Sequence, residues 1–426
     1  MNDANMNDAN MNEVSVRAEC RAWLEANWSV DRGLVEWREM LADSGWGAPH
    51  WPRDWYGRDL SAGLVPVVEE EFKRIGAIGV AKVGIRVLAA ATILVHGNDW
   101  HKKKFLRRIL TGEDAWCQLF SEPGSGSDAA GAVTRADLKG NQWVVNGQKV
   151  WTSGAQKADW GLLLARTDWD KTKHAGLSYF IIDMHQPGVT VQPLRQMNGH
   201  ATFNQVFLTD AIVPPEHLLA EVGQGWAVTT TTLMHERRGA DSLKSWAMGS
   251  DLPGRAYQEE REEIAIALAP YKWYPNRAGR IDLIMQRARE TGGIGDPAVR
   301  QEIGRLMTMT KSAEWTARRA RAAQEMGRAQ GPEGSLGKLA SSHIARAAAR
   351  VHTQLSGASA LLAGEDGPLG GTIAEILVSV PATSIAGGTD EIQRNIIAER
   401  VLKMPKEMSV DTGRPFRDVP RNVAKA

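Results

Sequence analysis

Two short segments combine residue types suited to holding a flat, polar or phosphorylated ligand. The first, Phe120-Ser121-Glu122-Pro123-Gly124-Ser125-Gly126-Ser127-Asp128, follows an apolar run. Its glycines let backbone N–H groups approach a ligand closely, and its serine hydroxyls add donors. The second, Asn146-Gly147-Gln148-Lys149-Val150-Trp151-Thr152-Ser153-Gly154-Ala155, carries an indole and two hydroxyls at the end of a strand pair. Gly/Ser loops are also common as plain turns, and a lone tryptophan is usually part of a core. The residue types alone leave both readings open.

The elements that must position these segments change character along the chain. Residues 13–111 read as mostly helical, with apolar residues spaced by three and four over 62–75 and 87–95. Two prolines and two glycines between Gly45 and Pro52 require a loop between helices. The run His101-Lys102-Lys103-Lys104, with Arg107 and Arg108, alternates with Phe105, Leu106, Ile109 and Leu110, the pattern of a solvated helix face. The period then falls to two over 142–145, 161–166, 178–182 and 204–208. Turn signals at Lys139-Gly140-Asn141, Asn146-Gly147 and Pro187-Gly188 suggest antiparallel connections. Helical periodicity returns over 281–291, 298–327, 336–355 and 390–401.

The expected fold is therefore α+β: an N-terminal helical domain (13–113), a central antiparallel β-barrel domain (114–220) and a C-terminal helical bundle (221–405). The twice-repeated pentapeptide at the start places 1–12 as a disordered extension, and the proline-containing tail, 406–426, is expected on the surface or mobile.

Composition narrows the function class. With 43% hydrophobic and 24% charged residues and a formal net charge of +1, the chain is globular and offers no global attraction to nucleic acid or an anionic membrane. Cys20 and Cys117 are too few for a disulfide framework or a zinc site, so no metal is expected and a reducing, cytoplasmic setting is. No apolar run is long enough for a membrane span.

The two segments, followed by Gly388-Thr389-Asp390-Glu391-Ile392-Gln393-Arg394, resemble in order and spacing the signature of the acyl-CoA dehydrogenase family. The resemblance covers about 13–405 and is weakest over 241–380. It implies FAD as cofactor, an acyl-CoA substrate and an electron-transfer flavoprotein as acceptor. It assigns Phe120, Ser121, Gly126 and Ser127 to the flavin loop, with Ser127 also on the substrate side, and places Trp151 and Ser153 at the flavin ring. Thr389 falls to the adenosine side. Many members carry their catalytic glutamate just before the Gly-Thr pair, where this chain has Gly387, whose N–H would still serve the thioester oxygen. A second solution in the family, similar to isovaleryl- and long-chain-type dehydrogenases, uses a glutamate followed by arginine on the first C-terminal helix. Here these are Glu236, the expected base for the weakly acidic α-proton, and Arg237, near the CoA arm. His235 is read as structural.

Two departures qualify the resemblance. The family's Arg-x-x-Phe-Gly motif, whose arginine reaches the flavin pyrophosphate of a neighbouring subunit, is missing, and the Leu-Gly-Gly-x-Gly segment is not clear. In place of the first stand Pro253-Gly254, a charged run over 255–263 and the aromatic loop Tyr271-Lys272-Trp273-Tyr274-Pro275-Asn276-Arg277. This resembles bacterial branches acting on bulky or sterol-type acyl-CoAs, some of which are heterotetramers. A homotetramer or heterotetramer is implied. A non-catalytic partner subunit and a flavin oxidase or monooxygenase on the same fold are the rival readings.

Overall fold

The computed structural model describes residues 3–81, 84–239, 250–326, 331 and 333–420. Five helices come first: α1 (Asp3–Asn27), α2 (Leu34–Ser44), α3 (Val65–Ile75), α4 (Arg86–His96) and α5 (Asp99–Thr111). The strands are β1 (Trp116–Leu119), β2 (Arg135–Lys139), β3 (Gln142–Ser153), β4 (Trp160–Arg166), β5 (Leu177–Asp183), β6 (Val189–Leu194), β7 (Phe203–Val213) and β8 (Leu218–Leu219). Helices follow again: α6 (Gly225–Gly239), α7 (Arg255–Leu268), α8 (Tyr274–Arg277), α9 (Ile281–Glu290), α10 (Pro297–Glu325), α11 (Glu333–Ser356), α12 (Thr372–Ser379) and α13 (Asp390–Ile396).

The chain divides into two compact units. The first comprises 1–194, 202–269 and 411–426; the second comprises 195–201 and 270–410. Thus α6 and α7, expected with the C-terminal bundle, belong to the unit that holds the sheet.

In the first unit β4 and β5 are buried on both faces, which explains why they read as unbroken apolar runs. Leu162, Leu164, Tyr179 and Ile181 meet Ile93, Phe105 and Leu106 of α4 and α5 on one face. Leu163, Phe180 and Ile182 meet Val145 and Val206 on the other. The strand order β6-β7-β3-β2-β4-β5-β8 is an open path, with β1 parallel to β4 and β2 touching β4 in parallel at Arg135 and Arg166. A closed, wholly antiparallel barrel is therefore not what the described pairing forms: β8 has two residues and β6 pairs with β7.

Other expectations also change. Asn146-Gly147 lies inside β3 at a break in its register with β7 rather than in a turn. A Cβ at Gly147 would come within 2.5 Å of Thr134 Oγ1, so the glycine serves a close approach. His101 is buried rather than solvated, with its backbone N–H and ring Nδ1 on Asn98 Oδ1, the N-cap of α5. Helix α1 is anchored in the core of the first unit by Val16, Cys20 and Leu24. The tail is not wholly superficial either, because Phe416 is fully buried in the first unit.

In the second unit α9, α10 and α11 share Ile284, Ala288, Ile303, Leu306, Ala348 and Val351. The 195–201 loop joins it through Asn198 Nδ2 to Ser379 Oγ at 3.0 Å and a contact of His200 Nε2 with Glu375 Oε1 at 3.0 Å.

Candidate functional site

The two Gly/Ser-rich segments meet through a buried ion pair. Glu122 accepts from Val133 N–H at 2.7 Å and Thr134 N–H at 2.9 Å, and Lys149 Nζ lies 2.8 Å from its Oε1. The Lys149 ammonium also donates to Phe120 O at 3.1 Å, and Val150 N–H donates to Ser121 O at 2.8 Å. Burial alone would raise the Glu122 pKa, but the Lys149 charge and the hydrogen bonds from Thr134 and Val133 hold it below the usual carboxylate range. Neither Glu122 nor Lys149 was singled out from the sequence, although both stand inside the quoted segments. Their pairing is long-range, and nothing local announces it.

The paired N–H to O bonds between Glu122 and Ser125, 3.0 Å each way, close a tight turn. Gly126 and Ser127 beyond it are exposed, and a Cβ at Gly126 would meet no atom within 4 Å. Nothing among the described residues requires glycine there, and the space beside it could admit a ligand. Phe120 is buried, edge-on to the Tyr179 ring at 5.7 Å.

Trp151 lies where the β3–β7 register breaks between Lys149 and Thr152. Its φ is +62°, a left-handed conformation that costs a bulky residue about 1–3 kcal/mol. Its indole is 56% exposed, edge-on to Phe203 at 5.7 Å. A strained backbone that spends its strain on displaying an aromatic face is hard to explain as core packing. Beside it, Thr152 is buried with Oγ1 unpartnered, while Asn204 Nδ2 holds Thr152 O at 3.0 Å. Ser153 is half-buried and pairs with Phe203. An exposed indole, an adjacent orphaned hydroxyl and an open glycine fit the face and edge of a planar polar ring.

Glu236 is positioned by α6. Gly225 at the start of that helix packs so tightly on β5 that a Cβ would come within 2.6 Å of the Ser178 backbone. One turn before Glu236, Thr232 Oγ1 lies 2.9 Å from Thr92 Oγ1 and 3.0 Å from Tyr179 OH, all three groups buried. His96 Nε2 meets Thr231 Oγ1 at 2.8 Å. Held this way, the half-buried Glu236 carboxylate accepts from Gln118 Nε2 at 3.2 Å. Gln118 is the polar, half-buried position in a strand otherwise made of Trp116, Cys117 and Leu119. That interruption was the available signal for a residue the sequence reading missed. Glu236 and the strand leading into Phe120 and Ser121 are thus brought together. The side chain of Arg237 lies outside the described residues.

In the second unit Gly387 and Gly388 have φ of +68° and +87°, which glycine adopts without strain. Gln393 Nε2 donates to both of their carbonyls, at 3.2 and 3.3 Å. Thr389 caps α13 by accepting from Ile392 N–H at 3.3 Å. Asp390 is buried, 3.1 Å from Arg346 Nη2 and 3.7 Å from Lys338 Nζ. Much of this third segment is therefore accounted for by a braced turn and a helix cap.

Residues 10–113, 117–210 and 277–402 match the acyl-CoA dehydrogenase N-terminal, middle and C-terminal domains. The chain is 31% identical over 414 residues to the acyl-CoA dehydrogenase IpdE1 of Mycobacterium tuberculosis (strain ATCC 25618 / H37Rv), covering 92% of this chain and 97% of that protein. It is 34% identical over 368 residues to acyl-CoA dehydrogenase FadE34 of the same strain, covering 86% of this chain but only 46% of that protein's length. Among solved structures, the steroid ACAD Tcur3481-Tcur3483 matches with a TM-score of 0.63 at 25% identity, over 93% of this chain and 98% of that one.

Proposed function

This chain belongs to the acyl-CoA dehydrogenase family, and from that premise we propose that it oxidises an acyl-CoA thioester to the trans-2-enoyl-CoA with Glu236 as the base. The observation that carries this reading is the Glu236 carboxylate, held by α6 and Gln118 beside the strand that feeds the 120–128 loop, in a chain with glycine at 387. Glu236 takes the α-proton, and the amide of Gln118 keeps the carboxylate oriented. Phe120, Ser121, Gly126 and Ser127 hold FAD from the loop, Trp151 and Ser153 from β3, and Thr389 from the adenosine side. FAD, when bound, supplies the acceptor for the β-hydride and a route for both electrons to an electron-transfer flavoprotein. The Gly387 N–H donates to the thioester oxygen, where charge develops as the proton leaves. Arg237 is assigned to the CoA arm and Ser127 to the substrate.

A bulky, sterol-type acyl group is the favoured substrate class. The steroid ACAD likeness supports it, as does the replacement of the Arg-x-x-Phe-Gly region by α7. The missing arginine also supports completion of the flavin site by another subunit, alike or related. A cytoplasmic setting accords with two free, buried cysteines, and no helix among the described residues is long and apolar enough to cross a membrane.

Anaerobic mixing with a panel of acyl-CoAs tests the reading. Steroid side-chain thioesters are expected to bleach the flavin, and short straight-chain thioesters to do so poorly. Oxygen consumption without any thioester-dependent bleaching would replace the dehydrogenase reading with an oxidase or monooxygenase. Flavin recovered only on co-expression with a related chain would make this chain a subunit of a shared site.

A further inference from the structure

Residues 411–420 belong to the first unit and join it through ring, backbone and ionic contacts. The Phe416 ring centroid lies 3.3 Å from Arg166 Cζ and 5.5 Å from the Trp169 ring, and Phe416 is fully buried. Backbone bonds fix the segment in register with the 168–174 loop: Phe416 N–H to Lys171 O at 2.8 Å and Arg417 N–H to Trp169 O at 3.0 Å. Arg417 pairs with Asp170. Lys173 Nζ then bridges Asp411 Oδ2 and Asp128 Oδ2, 2.6 Å from each.

Both anchors lead to the ligand loop. Asp128 ends the Gly/Ser segment. Arg166, fully buried, donates to Ala130 O at 2.7 Å, Ala132 O at 3.0 Å and Lys173 O at 3.1 Å, so one guanidinium ties the loop after Asp128 to the loop that carries the tail. A ring lying over that guanidinium excludes water, and hydrogen bonds from a charged donor are stronger where water is excluded. Phe416, Val419 and Pro420 also form one wall of a cavity of about 290 Å³ whose other walls include Glu122, Ser125 and Gly131.

We propose that residues 411–420 are a strap that orders the 122–133 loop, with Phe416 and Lys173 as positioning residues for ligand binding by that loop. The link to FAD rests on the function proposed above, whereas the ordering of the loop does not.

Hydrogen exchange on the full-length chain separates the two. In Phe416→Ala, amides of 122–133 are expected to exchange at least ~10-fold faster while those of 161–165 in β4 stay protected, as for local rather than global opening. Dialysis against FAD should show affinity reduced ~10-fold in the same variant, with bleaching by substrate at saturating FAD unchanged, because the equilibrium is taxed by the ordering step. Phe416→Leu, which keeps an apolar plug without the ring, covers the case in which alanine does not fold, and should shift both readouts in the same direction by less. Unchanged exchange over 122–133, or loss of protection throughout β4 in both variants, would overturn the strap. Faster loop exchange with unchanged FAD affinity would overturn its role in binding. A wild-type chain that binds no FAD, either alone or co-expressed with a related chain, yet shows the loop-specific exchange change, would sink the flavin reading and leave the ordering role standing.

Discussion

Glu236 and Gln118 show how a single contact separates a catalytic candidate from a surface glutamate. Most glutamates on helices face water, but this one is half-buried, and the Gln118 amide 3.2 Å away has no other evident reason to sit in an apolar strand. Glu236→Gln keeps size and hydrogen-bonding capacity and loses the proton acceptor. Flavin reduction by substrate, followed by stopped flow, is expected to slow by about 10³-fold, with flavin content and thioester binding nearly unchanged. Reduction at the wild-type rate would return Glu236 to the status of a helix-surface residue. Gln118 is legible in sequence only as a polar interruption of an apolar run, and such an interruption does not say which residue it faces. Trp151 was legible as a ligand neighbour only through the order of the motifs, and its left-handed φ and exposed indole could not be read from residue types.

Between elements, the Glu122–Lys149 pair couples the loop after β1 to β3, and both side chains are almost wholly buried. Lys149→Met keeps the apolar stem and leaves the Glu122 carboxylate without its counter-ion, which costs about 3–5 kcal/mol when one partner of a buried pair is removed. Urea unfolding should report that loss, and adding Glu122→Gln should return part of it; equal stability of Lys149→Met and wild type would show that the pair contributes nothing. A different clasp joins α1 to α3. Buried Glu71 binds Arg21 through two bonds of 2.9 Å, with Arg74 at 2.8 Å and Arg17 at 3.3 Å. Its pKa is lowered to about 2 from 4.5, chiefly by the Arg21 hydrogen bonds and then by Arg74 and Arg17, against the opposing effect of burial. A depressed carboxylate pKa contributes stability that is fully present above the unfolded value and lost as pH falls through the folded one. Wild type should therefore exceed Glu71→Gln in stability at pH 7, and the difference should shrink from about pH 4.5 towards pH 2. A difference that stays constant over that range would exclude the carboxylate charge as its source. The long helices and central strands were readable because burial on one face imposes a period of about 3.6 or 2, and burial on both faces gives the apolar runs of β4 and β5. The pairing order was not, since β1 and β2 lie parallel to β4 through contacts distant in sequence. Asn146-Gly147 misled for a related reason: the glycine answers to Thr134 on another segment, not to a local turn.

For the whole molecule, the open question is how many chains complete one working enzyme. The second unit exposes apolar side chains that a solitary chain would leave in water: Met307 at 51% and Trp315 at 64% on α10, with Leu361 at 77% in the segment after α11. Single exposed apolar residues are ordinary, and the expectation drawn from these is that association covers them. The absent Arg-x-x-Phe-Gly motif gives the same answer from chemistry, because the resemblance takes that arginine from a neighbouring subunit. Association would therefore cover apolar area and complete the flavin site in the same step, so the two should respond together. The expectation is a tetramer, formed by this chain alone or with a related chain, closed by twofold symmetry. Trp315→Glu places a charge where the expected interface is apolar, and the isolated unit should tolerate it because the indole is already exposed. Light scattering should show the variant shifted to smaller species, and released-flavin analysis should show FAD content falling in parallel. If the wild type is a monomer that retains a full complement of FAD through gel filtration, each chain holds its cofactor alone, and some residue of this chain must do the work of the missing arginine.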